Sequence, residues 1–98
     1  MQNLSETEII ATLFKKLFLM GKIGHSHTSF DNLPKGFPPE VRKQVKRITK
    51  KLINKGFLLS SKHNYGLGVS LNNKRILEIE KIIVGYFPEL KERFRLRV

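Results

Sequence analysis

The side chains with the plainest chemistry are the lysines and arginines of residues 35–62, where nine basic residues accompany a single acid, Glu40. This segment carries +8 of the formal net charge of +11. Ammonium and guanidinium groups bind phosphate, and arginine also binds a guanine edge through two hydrogen bonds. In a chain of 98 residues, this concentration of positive charge predicts a polyanionic partner.

A less specific explanation of the same charge is a solvated surface. The outer face of an amphipathic helix is often only that, and lysine-rich composition also accompanies thermal stability. The scarcity of acids within residues 35–62 favours a binding face instead. Binding of this electrostatic kind weakens with salt, by about one unit of log–log slope for each phosphate neutralised.

Catalysis and metal binding have little support. The chain has no cysteine, which excludes disulfides, thiol nucleophiles and cysteine-ligated zinc. His25 and His27 fall on one side of an extended segment and His63 could add a third zinc ligand, but no nearby carboxylate completes the set. Ser26 lies beside two histidines without a buried acid to orient them. We expect no enzyme activity, metal or cofactor, and no small-molecule substrate is evident.

The elements that precede the cationic residues are predicted to be a long helix and a short one. Helix one spans residues 6–20, because Ser5 and Glu8 form a capping box and apolar residues then recur at helical spacing. Residues 22–37 predict a short extended segment and then, from Thr28, a helix of two turns. The prolines and glycines of this stretch forbid anything longer.

Most of the cationic residues lie on an amphipathic helix predicted over residues 39–55. Pro39 suits a first helical position, and Gly56 ends the helix. At about 100° per residue, one stripe of this helix is apolar and the opposite stripe is cationic. The apolar stripe consists of Val41, Val45, Ile48 and Leu52, and the cationic stripe of Arg42, Lys43, Lys46, Arg47 and Lys50.

Beyond this helix the apolar residues change from helical to alternating spacing. Residues 57–62 and 67–71 predict two strands. The tight turn between them contains Asn64 and Gly66, the residue types that adopt the positive φ angles of a hairpin. A β-hairpin therefore follows the cationic helix directly.

A last helix is predicted over residues 74–87, with Asn72 or Asn73 as its cap and Pro88 as its end. Residues 89–98 form a basic tail. Its final residues alternate between basic and apolar side chains, which indicates an extended arm.

The order of these elements over residues 6–87 is similar to that of a winged helix-turn-helix domain. The segment 45–58 resembles the superfamily's recognition helix, which ends in basic residues, a glycine and an apolar step into the wing. Residues 69–71, Val-Ser-Leu, resemble the returning wing strand. The resemblance implies an α+β, mostly helical fold with a three-helix core, a β-hairpin wing and a C-terminal helix. The turn before the recognition helix is longer here than the usual three or four residues.

The same resemblance implies a mode of DNA binding. The helix of residues 39–55 enters the major groove, and the hairpin of residues 57–71 serves as the wing. Some cationic side chains then contact base edges and others phosphates, while the hairpin tip lies along the neighbouring minor groove. The predicted DNA-binding residues are Lys35, Arg42, Lys43, Lys46, Arg47, Lys50, Lys62, His63, Asn64 and Tyr65.

The last helix also suggests self-association, because its apolar surface is too wide for one side to bury in so small a domain. Packing against helix one is the alternative that would hide this surface. We expect instead a homodimer whose two recognition helices bind one palindromic site on double-stranded DNA. The predicted interface residues are Ile76, Ile79, Ile83, Tyr86 and Phe87.

The chain is expected to be one domain, residues 1–88, followed by the tail of residues 89–98. No apolar run reaches the ~18–20 residues of a membrane span, and the N-terminus lacks a secretory signal. We therefore predict a cytoplasmic, nucleoid-associated transcriptional regulator. Two alternatives remain: a winged-helix module that binds protein or RNA in a larger complex, and a protein that compacts duplexes of any sequence.

Overall fold

The computed structural model describes residues 4–95. Its first helix, α1, runs over Glu6–Leu19, which confirms the predicted helix one. The Glu8 N–H donates to Ser5 Oγ at 3.2 Å, and the Ser5 N–H donates to the Glu8 carboxylate at 3.2 Å. This capping box satisfies backbone donors that the first turn would otherwise leave unpaired.

The segment after α1 differs from the prediction in its details. The first strand, β1, is only Thr28–Ser29 and lies after the expected extended segment. A 3₁₀ helix over Phe30–Gly36, here named the linking helix, follows it. Ser29 rather than Thr28 caps this helix, because the Asp31 N–H donates to Ser29 Oγ at 3.3 Å. Pro34 lies inside the helix and has no N–H to donate, which disfavours a regular α-helix there.

The predicted helix of residues 39–55 is divided in two. A 3₁₀ turn over Pro39–Val41 leads into α2, Arg42–Asn54. Val45, Ile48 and Leu52 are buried, which confirms the apolar stripe. Gly56 follows the helix with a φ of 84°, a conformation that glycine adopts without strain.

Two further strands, β2 over Leu58–His63 and β3 over Gly66–Leu71, form the predicted hairpin. The sheet is antiparallel with the order β1-β3-β2, so β3 is its central strand. Gly66 alone supplies a positive φ at the turn, 119°, so the expectation of a positive φ at Asn64 is wrong. Glycine is favoured at the end of such a turn.

The core lies between one face of the sheet and the helices. Phe14 of α1 is completely buried and contacts the Phe57 ring, with the ring centroids 5.9 Å apart. Because side chains alternate along a strand, β3 directs Val69 and Leu71 into this core and leaves Gly66, Gly68 and Ser70 on the outer face. The remaining fully buried core residues include Ile9, Leu13, Leu17, Leu33, Val45 and Leu58.

The last long helix, α3, runs over Ile76–Tyr86 and follows a 3₁₀ turn that Asn72 caps, since the Lys74 N–H donates to its Oδ1 at 3.0 Å. Ile79 and Ile83 are 0% exposed. They belong to the chain's own core, so they cannot also cover a second copy, and the expected dimer interface loses these two residues. The apolar surface that remains exposed on α3 is on another side, with Leu77 71% exposed.

The tail is helical where the structure describes it. A 3₁₀ turn over Pro88–Leu90 leads into α4, Lys91–Arg95. The extended arm is therefore wrong through Arg95, and residues 96–98 lie outside the described part of the chain. The Phe94 ring packs against that of Phe18, with centroids 4.5 Å apart, which explains why the tail folds back as a helix.

The described chain is α+β and mostly helical, with one small antiparallel sheet, as predicted. Its longest α-helix is the 14 residues of α1. None of the helices within residues 4–95 has the length and apolar character needed to cross a membrane.

Candidate nucleic-acid interface

The outer side of α2 carries four exposed cations, Lys43, Lys46, Arg47 and Lys50, which we name the cationic face. They lie three and four residues apart, so their side chains emerge together on the side opposite the buried stripe. Within residues 4–95, the side chains of Lys43, Lys46 and Arg47 make no hydrogen bond or ion pair. Lys50 Nζ lies 5.9 Å from the centroid of the Phe30 ring and remains exposed.

Arg42, a neighbour of this face in sequence, has a different role. Its Nε donates to the Phe37 carbonyl at 2.9 Å, and its Nη2 donates to the Lys35 carbonyl at 3.4 Å. Arg42 lies at the flank of the helix between the buried and outer stripes, which directs its guanidinium onto this main chain. This side chain therefore links α2 to the end of the linking helix, and the DNA contact predicted at Arg42 stays a prediction.

A second basic group surrounds the end of the linking helix. Lys16 Nζ donates to the Asn32 and Leu33 carbonyls at 3.1 and 3.2 Å, so a cation of α1 is bonded to the main chain of the linking helix. Burial lowers the pKa of Lys16 below its ordinary value, and the nearby charge of Lys35 lowers it further. Lys35 is itself exposed, so its charge adds to the positive surface beside the cationic face.

The predicted residues of the hairpin tip do not share one face. Lys62 and His63 are successive strand residues, so their side chains lie on opposite sides of the sheet. Asn64 and Tyr65 form the two-residue turn, and Tyr65 is 53% exposed. The structure therefore separates Lys62 from His63, and it brings His63 and Tyr65 together with a third ring that the sequence had given no such role.

That third ring is His27, and the three side chains form what we name the ring cluster: His27, His63 and Tyr65. The His27 and His63 centroids are 4.0 Å apart with an interplanar angle of 17°. The His63 and Tyr65 centroids are 5.1 Å apart at 3°, and those of His27 and Tyr65 are 6.4 Å apart at 20°. All three rings are therefore nearly parallel and within stacking distance.

The central strand is shaped to admit these rings. Gly66, Gly68 and Ser70, the outer-face positions of β3, all have small side chains or none. A Cβ at Gly68 would lie 2.7 Å from His27 Cδ2 and 2.8 Å from His63 Cδ2, closer than real contacts. The alternation Gly-x-Gly-x-Ser in a strand was the sequence signal for this arrangement, because glycine in a strand marks a close approach.

Two clefts flank the ring cluster. One, of about 420 Å³, contains Ser61, whose Oγ is 2.7 Å from His63 Nε2, and also has His25 and Ser70 in its walls. The other, also about 420 Å³, has His27 and Tyr65 in its wall, together with three polar residues. These polar residues are Thr28, Ser29 and Asn32.

The three histidines are not grouped as metal ligands in the part of the chain that the structure describes. Among the described residues, no three histidine or acidic side chains are placed to hold one ion. Imidazole lone pairs lie in the ring plane, so the stacked rings of His27 and His63 do not direct their nitrogens toward a common point. The Ser61–His63 hydrogen bond could orient a nucleophile, but within residues 4–95 no side-chain acid is bonded to that histidine.

A third surface feature is an apolar groove of about 390 Å³ between α3 and α4. Leu77, Val84 and Phe94 form its apolar wall, and Lys81 and Lys91 lie at its edges. This groove exposes apolar side chains of the C-terminal part, whereas Ile79 and Ile83 are buried.

Protein-family models, curated proteins and solved structures were all compared with this chain, and none matches.

Proposed function

We propose that this protein is a winged helix-turn-helix protein that binds double-stranded DNA and regulates transcription. In this proposal α2 is the recognition helix and enters the major groove, and the β2–β3 hairpin is the wing. The element order supports it, since a short strand and a linking helix lie between α1 and α2, and the hairpin follows directly.

The observation that carries the proposal is the unpaired positive charge of Lys43, Lys46 and Arg47. Like charges at this spacing destabilise a helix by about 0.2–0.5 kcal/mol for each pair. Phosphate groups would relieve this repulsion and would release counterions as they are neutralised. The cationic face therefore has an electrostatic reason to bind a polyanion.

The shape of α2 favours B-form DNA over double-stranded RNA. Its 13 residues extend about 20 Å, and the helix is anchored on one side by Val45, Ile48 and Leu52. A major groove about 12 Å wide admits such a helix, whereas the deep and narrow major groove of A-form RNA does not.

Selection from a random duplex library, followed by a salt titration of the enriched sequence against a scrambled one, tests the proposal. We expect enrichment of a defined sequence. If the four residues of the cationic face each neutralise a phosphate, the slope of log affinity against log salt is about −3.6. Enrichment without any sequence pattern would contradict a regulator and support duplex compaction, and binding that does not change with salt would contradict the electrostatic contact.

One observation favours a second function, that of an interaction module in a larger complex. The apolar groove between α3 and α4 leaves Leu77 71% exposed. A self-associating regulator covers such a surface with a second copy, whereas a module leaves it uncovered until its partner binds. Light scattering of the purified chain distinguishes them: a dimer that a Leu77→Glu substitution converts to monomer supports the regulator, and a monomer supports the module.

A further inference from the structure

The ring cluster presents aromatic faces, whereas the cationic face presents charges. Tyr65 is 53% exposed although its ring is held parallel to those of His63 and His27. Rings that share one orientation at the surface provide a flat platform, and another flat ring can extend the stack.

The sheet holds this platform in place through its register. His63 lies opposite Gly66, and Ser29 lies opposite Gly68, so neither partner on the central strand has a side chain that fills the outer face. Glycine weakens a strand interior by roughly 0.5–1 kcal/mol relative to alanine. The space that Gly68 leaves is occupied by two imidazoles, so this glycine serves the ring cluster.

The cleft beside the platform has the chemistry of a base-binding pocket. Its volume of about 420 Å³ is within the range of small-ligand sites. His27 and Tyr65 supply the aromatic wall, and Asn32 lies among the polar residues that complete the lining. An asparagine amide pairs with an adenine edge through two hydrogen bonds.

The cleft and the cationic face both adjoin the linking helix. Asn32 belongs to the linking helix, whose Phe30 ring lies under Lys50 of the cationic face. At its other end the linking helix carries Lys35, and the Lys16 ammonium is bonded to the Asn32 carbonyl itself. Further cations therefore lie on the same helix as the cleft residue Asn32, and their charge favours a nucleic acid strand there.

We propose that the ring cluster and this cleft bind one unpaired base of DNA, at a bulge or strand end beside the duplex held by α2. An unpaired base can enter the cleft and stack there, whereas a paired base within the duplex has its faces covered by its neighbours. The inference rests on the proposed function for the neighbouring duplex, but its chemistry, stacking on Tyr65 and hydrogen bonding to Asn32, is separate from the cationic contact.

The test compares a fully paired duplex with the same duplex carrying a single bulged 2-aminopurine. We expect the full chain to bind the bulged duplex about tenfold more tightly, the effect of roughly one stacked base. We also expect the fluorescence of the 2-aminopurine to be quenched on binding. Equal affinity for the two duplexes without quenching would overturn the inference and leave the proposed function intact.

Substitutions of Tyr65 test whether its ring is the surface on which the base stacks. Tyr65→Ala should abolish both the preference and the quenching, and Tyr65→Phe should retain them. Leu19→Ala is the control, because Leu19 is similarly exposed at 45% but lies at the end of α1. Circular dichroism verifies that each variant folds. Quenching that survives Tyr65→Ala, or is lost in Leu19→Ala, would overturn the assignment.

Further measurements distinguish a failure of the stacking site from a failure of the proposed duplex binding. Lys46→Glu/Arg47→Glu should weaken binding to both duplexes while leaving their ratio unchanged. A chain that binds neither duplex but still quenches single-stranded 2-aminopurine DNA through Tyr65 would contradict the proposed function and support the stacking site. A preference for a bulge that appears in RNA alone would overturn the assignment to DNA.

Discussion

The cationic face and the ring cluster hold their binding groups in opposite ways. Lys46 and Arg47 have no partner among the described residues, and their neighbours on α2 repel them. His27 and His63 lie against each other and against Tyr65, although they come from distant parts of the chain. These two cations of the first surface have no partner within the described residues, whereas the rings of the second contact one another and offer only their faces.

The same distinction divides the basic residues themselves. Lys16 and Arg42 donate to main-chain carbonyls on the linking helix or directly after it, and Lys51 forms an ion pair with Glu6 at 3.1 Å. These cations support the fold, although an exposed pair such as Lys51–Glu6 contributes about 0–1 kcal/mol. Positive charge alone therefore does not identify a binding residue, and the absence of an internal partner is the better criterion.

The largest effect is expected from reversing the charge of the cationic face. Lys46→Glu/Arg47→Glu should lower DNA affinity at least about 100-fold, because two charged contacts of roughly 1.5 kcal/mol each are lost. Fluorescence anisotropy with the selected duplex measures this. Lys81→Glu/Lys91→Glu changes the net charge equally on α3 and α4 and should have a much smaller effect. Equal losses in the two variants would mean that overall charge, and not the cationic face, drives binding.

The next largest effects are expected at two arginines of α2, Arg42 and Arg47, one of which should affect mainly stability and the other mainly DNA affinity. Arg42→Ala removes two hydrogen bonds to the main chain and should lower the free energy of unfolding by about 1–2 kcal/mol. Arg47→Ala should change stability by less than about 0.5 kcal/mol but weaken DNA binding more than Arg42→Ala does. Urea denaturation measures the stability of both variants, and fluorescence anisotropy measures their DNA affinity. The reverse order would show that Arg42, despite its bonds, is the DNA contact.

The sequence predicted the cationic face well, because a helical period alone places Lys43, Lys46, Arg47 and Lys50 on one side. It also predicted α1 and the hairpin, whose signals are local. It failed where distant residues decide the outcome: Phe18 holds Phe94 in a helix that alternation had suggested was extended.

The ring cluster was missed for the same reason. Its members are 36 and 38 residues apart along the chain from His27, and only the pairing of β1 with β3 brings them together. The homodimer expectation depended on the wide apolar surface of the last helix, and packing against helix one was the alternative to it. In the structure α1 contacts α3, and Ile79 and Ile83 are buried in the chain's own core. Local periodicity shows that a helix has an apolar face but does not show which neighbour buries it.

A smaller effect, of about 1 kcal/mol, is expected from the glycine beneath the rings. Gly68→Ala adds a Cβ that collides with both imidazoles, but it also removes the penalty of glycine in a strand. The two effects oppose each other in the native chain. In a His27→Ala/His63→Ala background only the favourable one remains, so the same substitution should stabilise the protein there.

Urea denaturation of the four chains in this double-mutant cycle gives the coupling directly. We expect a difference of about 1 kcal/mol between the two backgrounds. Coupling near zero would indicate that the imidazoles move aside at no cost and that the ring cluster is not a fixed platform. The near-ultraviolet signal of Tyr65 provides an independent measurement, because displacement of His63 changes the environment of the phenol.

The smallest predicted effect is on the free energy of unfolding. It comes from the charge of Lys35, which lies near the partly buried ammonium group of Lys16. The lowered pKa of Lys16 means that its charged form is less favourable in the folded than in the unfolded chain. Stability therefore rises with pH from the lowered folded pKa up to the ordinary value near 10.5. Lys35→Gln removes one cause of the lowering and should stabilise the protein at neutral pH and low salt by a few tenths of a kcal/mol, after allowance for solvent screening.

High salt should erase that gain, since the repulsion between two largely solvated lysines is screened. Thermal denaturation at low and high ionic strength measures the difference. Lys62→Gln is the control, because Lys62 is not among the causes of the lowered pKa of Lys16. If Lys35→Gln stabilised the chain equally at both salt concentrations, the gain would come from something other than charge. The basic residues beside the linking helix would then not form one electrostatic unit with Lys16.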